Sequence, residues 1–201
     1  PARQAARLDP SSTRFAGRIG WVMYQAKQID EAEKSYRQLL EKHDSDHSSS
    51  EIREVMRDAR LILSTIAVEQ GRTGAAEEWL EQVLDEFPDD TGALNDLGYL
   101  WCDQGKHLKR SLRMVKKAVE AEPDNMAYRD SLGWALFQLG RYQEAVVELK
   151  KAAENENPDG VILDHLADAC GKSGELDKAV EIWQKAIAAL ENQDDQDDQR
   201  I

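Results

Sequence analysis

Residues 126–159 read MAYRDSLGWALFQLGRYQEAVVELKKAAENENPD, and the architecture follows from their pattern. Leu132, Gly133, Leu136, Gly140, Tyr142, Ala145, Leu149 and Ala152 set a spacing that returns 34 residues later as Leu166, Ala167, Cys170, Gly174, Leu176, Ala179, Trp183 and Ala186. Upstream, the same places hold Leu97, Gly98, Trp101, Gly105, Leu108, Ser111, Val115 and Ala118. Self-similarity at this period predicts stacked copies of one helical hairpin, each burying its apolar face against its neighbours.

Extended along the chain, the pattern divides it into five hairpins. Residues 1–12 look like the remnant of an upstream repeat, because Ala5 and Pro10 stand apart by the separation of Ala118 and Pro123. Unit one spans 13–46, with Ile19, Gly20 and Met23 on its first helix and Ile29, Ala32, Tyr36 and Leu39 on its second. The run HDSDHSSS (43–50) leaves the period and predicts a loop. Within the linking segment 47–56, Ser50 before Glu51 marks the start of a long helix reaching about Gln70. Units two to five span 57–90, 91–125, 126–159 and 160–193, the third with one extra residue near Lys106–Leu108. The acidic end, 194–201, has no apolar period and predicts frayed or disordered chain.

The recurrence of small residues is a packing requirement. One position on each first helix holds Gly20, Ser64, Gly98, Gly133 or Ala167, and its partner on the second helix holds Ala32, Ala76, Ser111, Ala145 or Ala179. Small side chains at both places let two helices approach closely, and a larger one would cost about 1–3 kcal/mol of strain. Gly71, Gly105, Gly140 and Gly174 stand where first helices end in a left-handed residue. Pro88, Pro123 and Pro158 separate units, since proline cannot continue a helix interior.

On these residues the chain resembles the tetratricopeptide repeat (TPR) family over about 180 of its 201 residues. It departs from the family pattern at Leu94, Arg129 and Leu163, where an aromatic is usual, at Asp44 in place of proline, and at Pro158, one place late. The resemblance implies an all-α fold, a right-handed α-solenoid of antiparallel hairpins whose first helices line a concave groove that binds protein segments. DSLGW (130–134) and LDHLADA (163–169) are similar to segments of bacterial envelope TPR proteins, including lipoprotein adaptors that present substrates to proteases. That likeness implies a bacterial protein of the cytoplasm or the cell envelope.

Candidate binding residues lie opposite the predicted core. In helix 126–138, Tyr128, Leu132, Ala135, Leu136 and Leu139 share one face, and Asp130, Trp134 and Phe137 point away from it. Equivalent offsets give Gly17, Trp21 and Tyr24 in unit one, Leu61, Thr65 and Val68 in unit two, Asn95, Tyr99 and Cys102 in unit three, and Asp164, Asp168 and Gly171 in unit five. The expected peptide-binding set is Trp21, Tyr24, Asn95, Tyr99, Asp130, Trp134, Phe137, Asp164 and Asp168, with Trp134, Tyr99 and Asp130 as hot spots. Aromatic rings beside carboxylates suit a segment carrying Arg or Lys next to an apolar residue. The competing reading has Trp134 and Phe137 packed on the adjacent hairpin and the carboxylates, Asp96 among them, as a solvated face. Some arrays of this family grip a terminal carboxylate with Lys and Asn; the matching positions hold Asn95, Asp130 and Asp164, and Asp130 and Asp164 would repel one.

Other chemistries find less support. Lys plus Arg number 26 against 39 Asp plus Glu, a net charge of −13, which argues against non-specific nucleic-acid binding and suits a basic partner. No apolar run approaches the roughly 20 residues that span a bilayer. The sequence opens without Met or a signal-peptide pattern, as a segment whose targeting information lies elsewhere would. Cys102 and Cys170 stand two repeat lengths apart, so they are expected to be free thiols. His43, Asp44, Asp46 and His47 could ligate a metal in an enzyme fragment, but a serine-rich loop supplies no second shell. Asp164, His165 and Asp168 have no nucleophile placed beside them, and His165 reads as a surface or inter-repeat residue. The sequence therefore predicts a non-enzymatic interaction scaffold without metal or cofactor. The alternative is a module that assembles into homo-oligomers through its end repeats.

Overall fold

The computed structural model describes residues 12–43, 46, 49–155 and 157–198. Residues 1–11, read above as an upstream remnant, and Asp44 and His47 of the loop lie outside these. Ten helices follow one another, with no strand among the described residues: α1 (Thr13–Gln25), α2 (Ile29–His43), α3 (Ser50–Glu69), α4 (Thr73–Glu86), α5 (Thr91–Asp103), α6 (Leu108–Ala121), α7 (Met126–Gln138), α8 (Tyr142–Ala152), α9 (Gly160–Ser173) and α10 (Leu176–Asp198). The fold class is all-α, built from helix hairpins.

The chain forms two compact units, the first ending at Ala93 and the second beginning at Leu94. In the first, α1 pairs with α2 and α3 with α4, while α2 and α1 both pack on α3. Its core joins Tyr36, Leu39 and Leu40 of α2 to Met56, Ala59 and Leu63 of α3. In the second, α7 pairs with α8 and α9 with α10, α6 packs on α7, and α9 packs on both α8 and α7. Its core runs from Cys102 and Val115 through Leu132, Leu136, Val146 and Leu149 to Leu166, Cys170 and Ala179.

The small positions work as close-packing sites. A Cβ on Gly20 would stand 2.8 Å from the Tyr36 ring, one on Gly98 2.7 Å from Val115 Cγ1, and one on Gly133 inside the contact distance of Leu149 Cγ. Tyr36, Val115 and Leu149 each lie one turn beyond the small residue of the second helix, namely Ala32, Ser111 and Ala145. All three of those small residues are fully buried. The missing Cβ on the first helix therefore seats the side chain one turn further along its partner. Ser111 also donates its hydroxyl to the Gly98 carbonyl, tying α6 to α5.

First helices end alike. Gly71, Gly105, Gly140 and Gly174 have φ of 70, 68, 73 and 94°. The amide that follows each reaches back five residues, as Arg72 to Ala67 and Arg141 to Leu136 do. In the first hairpin that place belongs to Lys27, at φ 58°. The extra residue of unit three is absorbed by a left-handed His107, whose ring sits edge-on to Trp101 at 5.0 Å. Helix starts are capped by Ser12, Ser49, Asp90, Asn125 and Asp159. Ser49 rather than Ser50 thus caps α3, one residue earlier than the sequence suggests. The acidic end is helical to Asp198 rather than frayed from 194, because α10 continues without a breaker.

Two substitutions test this packing. Gly133→Val should lower stability by about 1–3 kcal/mol, because buried Leu149 has no room to retreat. Lys27→Gly should raise it by about 0.5–1 kcal/mol by removing left-handed strain, net of the entropy of glycine. Urea denaturation of both variants gives the two signs.

Candidate functional site

In the second unit the predicted face is organised around a histidine. Asp130 on α7 and His165 on α9 are each only 7% exposed. The His165 Nδ1 lies 2.9 and 3.1 Å from the two Asp130 carboxylate oxygens. Trp134, one turn beyond Asp130, stacks on the imidazole at 4.2 Å with the planes 16° apart, and on Phe137 at 4.8 Å. Phe137 meets the edge of Tyr142, and Tyr99 of α5 lies 6.3 Å from the His165 ring. The indole Nε1 of Trp134 donates to Asp103 at 3.2 Å.

This geometry revises several expected roles. Asp130 is not a solvated carboxylate on a groove wall; it is buried and engaged by His165. Asn95 is buried too, with its amide nitrogen donating to Asp96. Trp134 and Phe137 are half-buried and packed, Trp134 on a residue of the adjacent hairpin. Burial pushes the Tyr99 hydroxyl far up, assisted by the charges of Asp103 and Asp130. Asp164 stays exposed. Asp168 is half-buried and accepts a hydrogen bond from Trp183, while burial and the charge of Asp164 raise its carboxyl above the ordinary range.

Sequence reasoning left His165 and Asp103 out of the set. The available signal was spacing: Asp130 and His165 stand 35 residues apart, one more than the period, so they face each other from successive first helices. Cys102 and Cys170 are free and buried. Burial pushes the Cys102 thiol up to about 12. Among the described residues no group of three His, Cys, Asp or Glu could hold a metal ion. No described helix is long and apolar enough to cross a membrane.

In the first unit, Gly17, Trp21 and Leu61 line an open groove of about 950 Å³ between α1 and α3. Phe15, Val55 and Ile62 add apolar surface, Glu51, Glu54 and Asp58 stand on the α3 side, and Arg14 and Arg18 on the α1 side. Trp21 is 39% exposed, and the Arg18 guanidinium lies over its ring at 4.4 Å. Tyr24 is outside the groove lining and donates its hydroxyl to Glu69 at 2.7 Å. Burial and that carboxylate raise its pKa to about 12.

Two family models, both described as tetratricopeptide repeat, match residues 57–192 and 20–91. The chain belongs to the tetratricopeptide repeat family. A TPR repeat-containing protein of Pseudomonas aeruginosa is 30% identical over 105 residues, which make up 52% of this chain. The chain spans only 18% of that relative's length. A tetratricopeptide repeat protein from Parabacteroides merdae superposes with a TM-score of 0.70 at 17% identity, covering 94% of this chain and 70% of the other. A MamA segment from Desulfovibrio magneticus gives 0.68 at 15%, covering 90% and 97%. A thermophilic TPR protein of Thermus thermophilus gives 0.64 at 21%, covering 89% and 91%. At these identities the likeness is one of fold, that of the TPR α-solenoid. TPR proteins are in general protein–protein interaction scaffolds, typically non-enzymatic.

The raised Asp168 carboxyl has a definite consequence for stability. The folded state holds that proton more tightly than the unfolded chain, so its contribution falls as pH rises through the folded pKa. Asp168→Asn removes the repulsion from Asp164 and keeps an acceptor for Trp183. The variant should be the more stable protein at neutral pH, with the difference vanishing as pH falls below the carboxylate range; urea titrations at several pH values measure it.

Proposed function

We propose that this chain is a non-enzymatic scaffold that binds an extended partner segment, basic and apolar in character, on the faces of its first helices. The observation that carries the reading is the groove between α1 and α3. Three positions chosen for facing away from the core, Gly17, Trp21 and Leu61, line one open channel. Its lining includes an exposed indole, and its α3 side carries three carboxylates. The ring of Trp21 already takes a guanidinium on one face, which is the contact an incoming arginine would use.

The second unit supports the same chemistry in another way. Burial and the charge of Asp164 hold the Asp168 carboxyl above its ordinary range, and a Lys or Arg brought beside it would relieve that cost. Asp130 acts there as a positioning residue, since it holds the imidazole on which Trp134 stacks. Of the nine expected contacts, we assign ligand contact to Trp21, Trp134, Asp164 and Asp168, which are exposed or half-buried. Tyr24, Asn95, Tyr99, Asp130 and Phe137 serve the structure behind them.

The test uses fluorescence anisotropy of peptides alternating Arg or Lys with Leu or Trp, against the same peptides with Glu in place of the bases. Basic peptides should bind, more weakly as salt rises. Trp21→Ala should lower affinity about tenfold or more with helicity unchanged. Equal affinity for the acidic set would sink the charge reading, and an unaffected Trp21→Ala variant would remove the groove.

A further inference from the structure

In the middle of an acidic chain, helix α6 is basic. Leu108–Ala121 holds Lys109, Arg110, Arg113, Lys116 and Lys117 against Glu120 alone, although the protein carries −13. The preceding second helix, α4, is the reverse, with five carboxylates and no base. All five bases of α6 are exposed. At 3.6 residues per turn they fall within about a third of the helix circumference, as a ridge about 12 Å long. The opposite face is taken up by the fold: Ser111, Met114, Val115 and Ala118 are buried, and Leu112 and Val119 pack against the core.

The ridge works against its own helix. Lys109 and Arg110 occupy the first turn, where the macrodipole favours carboxylates. Like charges stand four apart in Lys109 with Arg113 and in Arg113 with Lys117, a destabilising spacing. Among the described residues no carboxylate makes an ion pair with Lys109, Arg113 or Lys116. Glu144 of α8, which feels the charge of Lys116, is held by Arg141, and Arg110 lies over the Trp101 ring at 4.6 Å. Neither helix stability nor internal pairing accounts for five bases here. The chemistry of the face narrows its partner. Every fully exposed residue of α6 but the terminal Ala121 is charged. It offers no apolar anchor to a protein, whose interfaces are ordinarily depleted in lysine. It also has no aromatic ring on which an unstacked base could lie. A row of cations suits a surface that asks only for charge, the headgroups of an anionic bilayer.

We propose that α6 docks the protein on anionic lipid, with Lys109, Arg110, Arg113, Lys116 and Lys117 over the headgroups. Because its apolar side is committed to the core, the helix lies on the bilayer without entering it. The acidic remainder of the chain is repelled, but at physiological ionic strength that repulsion reaches only about 8 Å. The ridge therefore decides which side approaches. None of its residues lines the Trp21 groove, and the docking does not rest on peptide binding.

Cosedimentation of the full chain with phosphatidylcholine vesicles, with and without phosphatidylserine, tests this. The parent should bind only the anionic vesicles, and less as salt rises. Lys109→Glu with Arg113→Glu should lower binding about tenfold or more. Lys34→Glu with Lys42→Glu, an equal change in net charge at two exposed positions of α2, should bind like the parent. Glu120→Lys extends the ridge and should tighten binding about fivefold, a gain that no folding defect can mimic. A parent that ignores phosphatidylserine, an equal loss in the α2 variant, or a Glu120→Lys protein no tighter than the parent would each overturn the proposal. So would ridge-dependent binding of duplex DNA or of an acidic peptide with none of vesicles. Trp21→Ala should bind vesicles like the parent, whatever its effect on peptides, which separates the two surfaces.

Discussion

The structure depends on a side chain lying where a first helix has no Cβ. Leu149 over Gly133, Val115 over Gly98 and Tyr36 over Gly20 are three versions of one contact. In each, the second helix can settle only as near as the first helix permits, and a missing methyl group sets that limit. Protein interiors are packed too densely for such a contact to be approximate. Once it is made, the rest of the hairpin has little freedom. The left-handed residue must then turn the chain within two to four residues, and a Ser, Asp or Asn must cap the next first helix.

This explains which parts of the fold the sequence could disclose. The alternation of small and large residues at a fixed period is a direct imprint of the contact, so helix order and the turn glycines could be read from it. What depended on a single side chain's partner could not. Ser49 and Ser50 are chemically equal candidates for a cap, and only the extended backbone at Ser49 decides between them. Lys27 does the work of a glycine in the first hairpin, so a search for glycine passes over it. The acidic run after 193 lacks apolar residues, yet a helix already under way needs only the absence of a breaker to continue to Asp198.

The candidate site shows the same division more sharply. Facing away from the core was legible for Trp21, because α1 and α3 leave an open channel beside it. It misled for Asp130, because a residue turned away from its own hairpin can be turned towards the next. The partner was hidden by an offset of one residue: the period pairs Asp130 with Asp164, whereas geometry pairs it with His165. A carboxylate drawn below the surface in this way needs a donor, and leaving it without one would cost several kcal/mol. The imidazole meets that need and then serves as a platform for Trp134.

The consequence bears on what the face can offer a ligand. Polar groups already engaged with each other, such as Asp130 with His165 or Trp134 Nε1 with Asp103, give a partner shape and rigidity rather than hydrogen bonds. Asp168, whose carboxyl is raised by burial and by the charge of Asp164, would on the proposed function favour an arriving cation, which offsets both. On the proposed function, such a face would divide its labour: aromatic rings fixed by internal contacts would define where a segment lies, and the carboxylates what charge it must carry. On that reading specificity would reside in the charged residues, although the rings would supply most of the surface a segment buries.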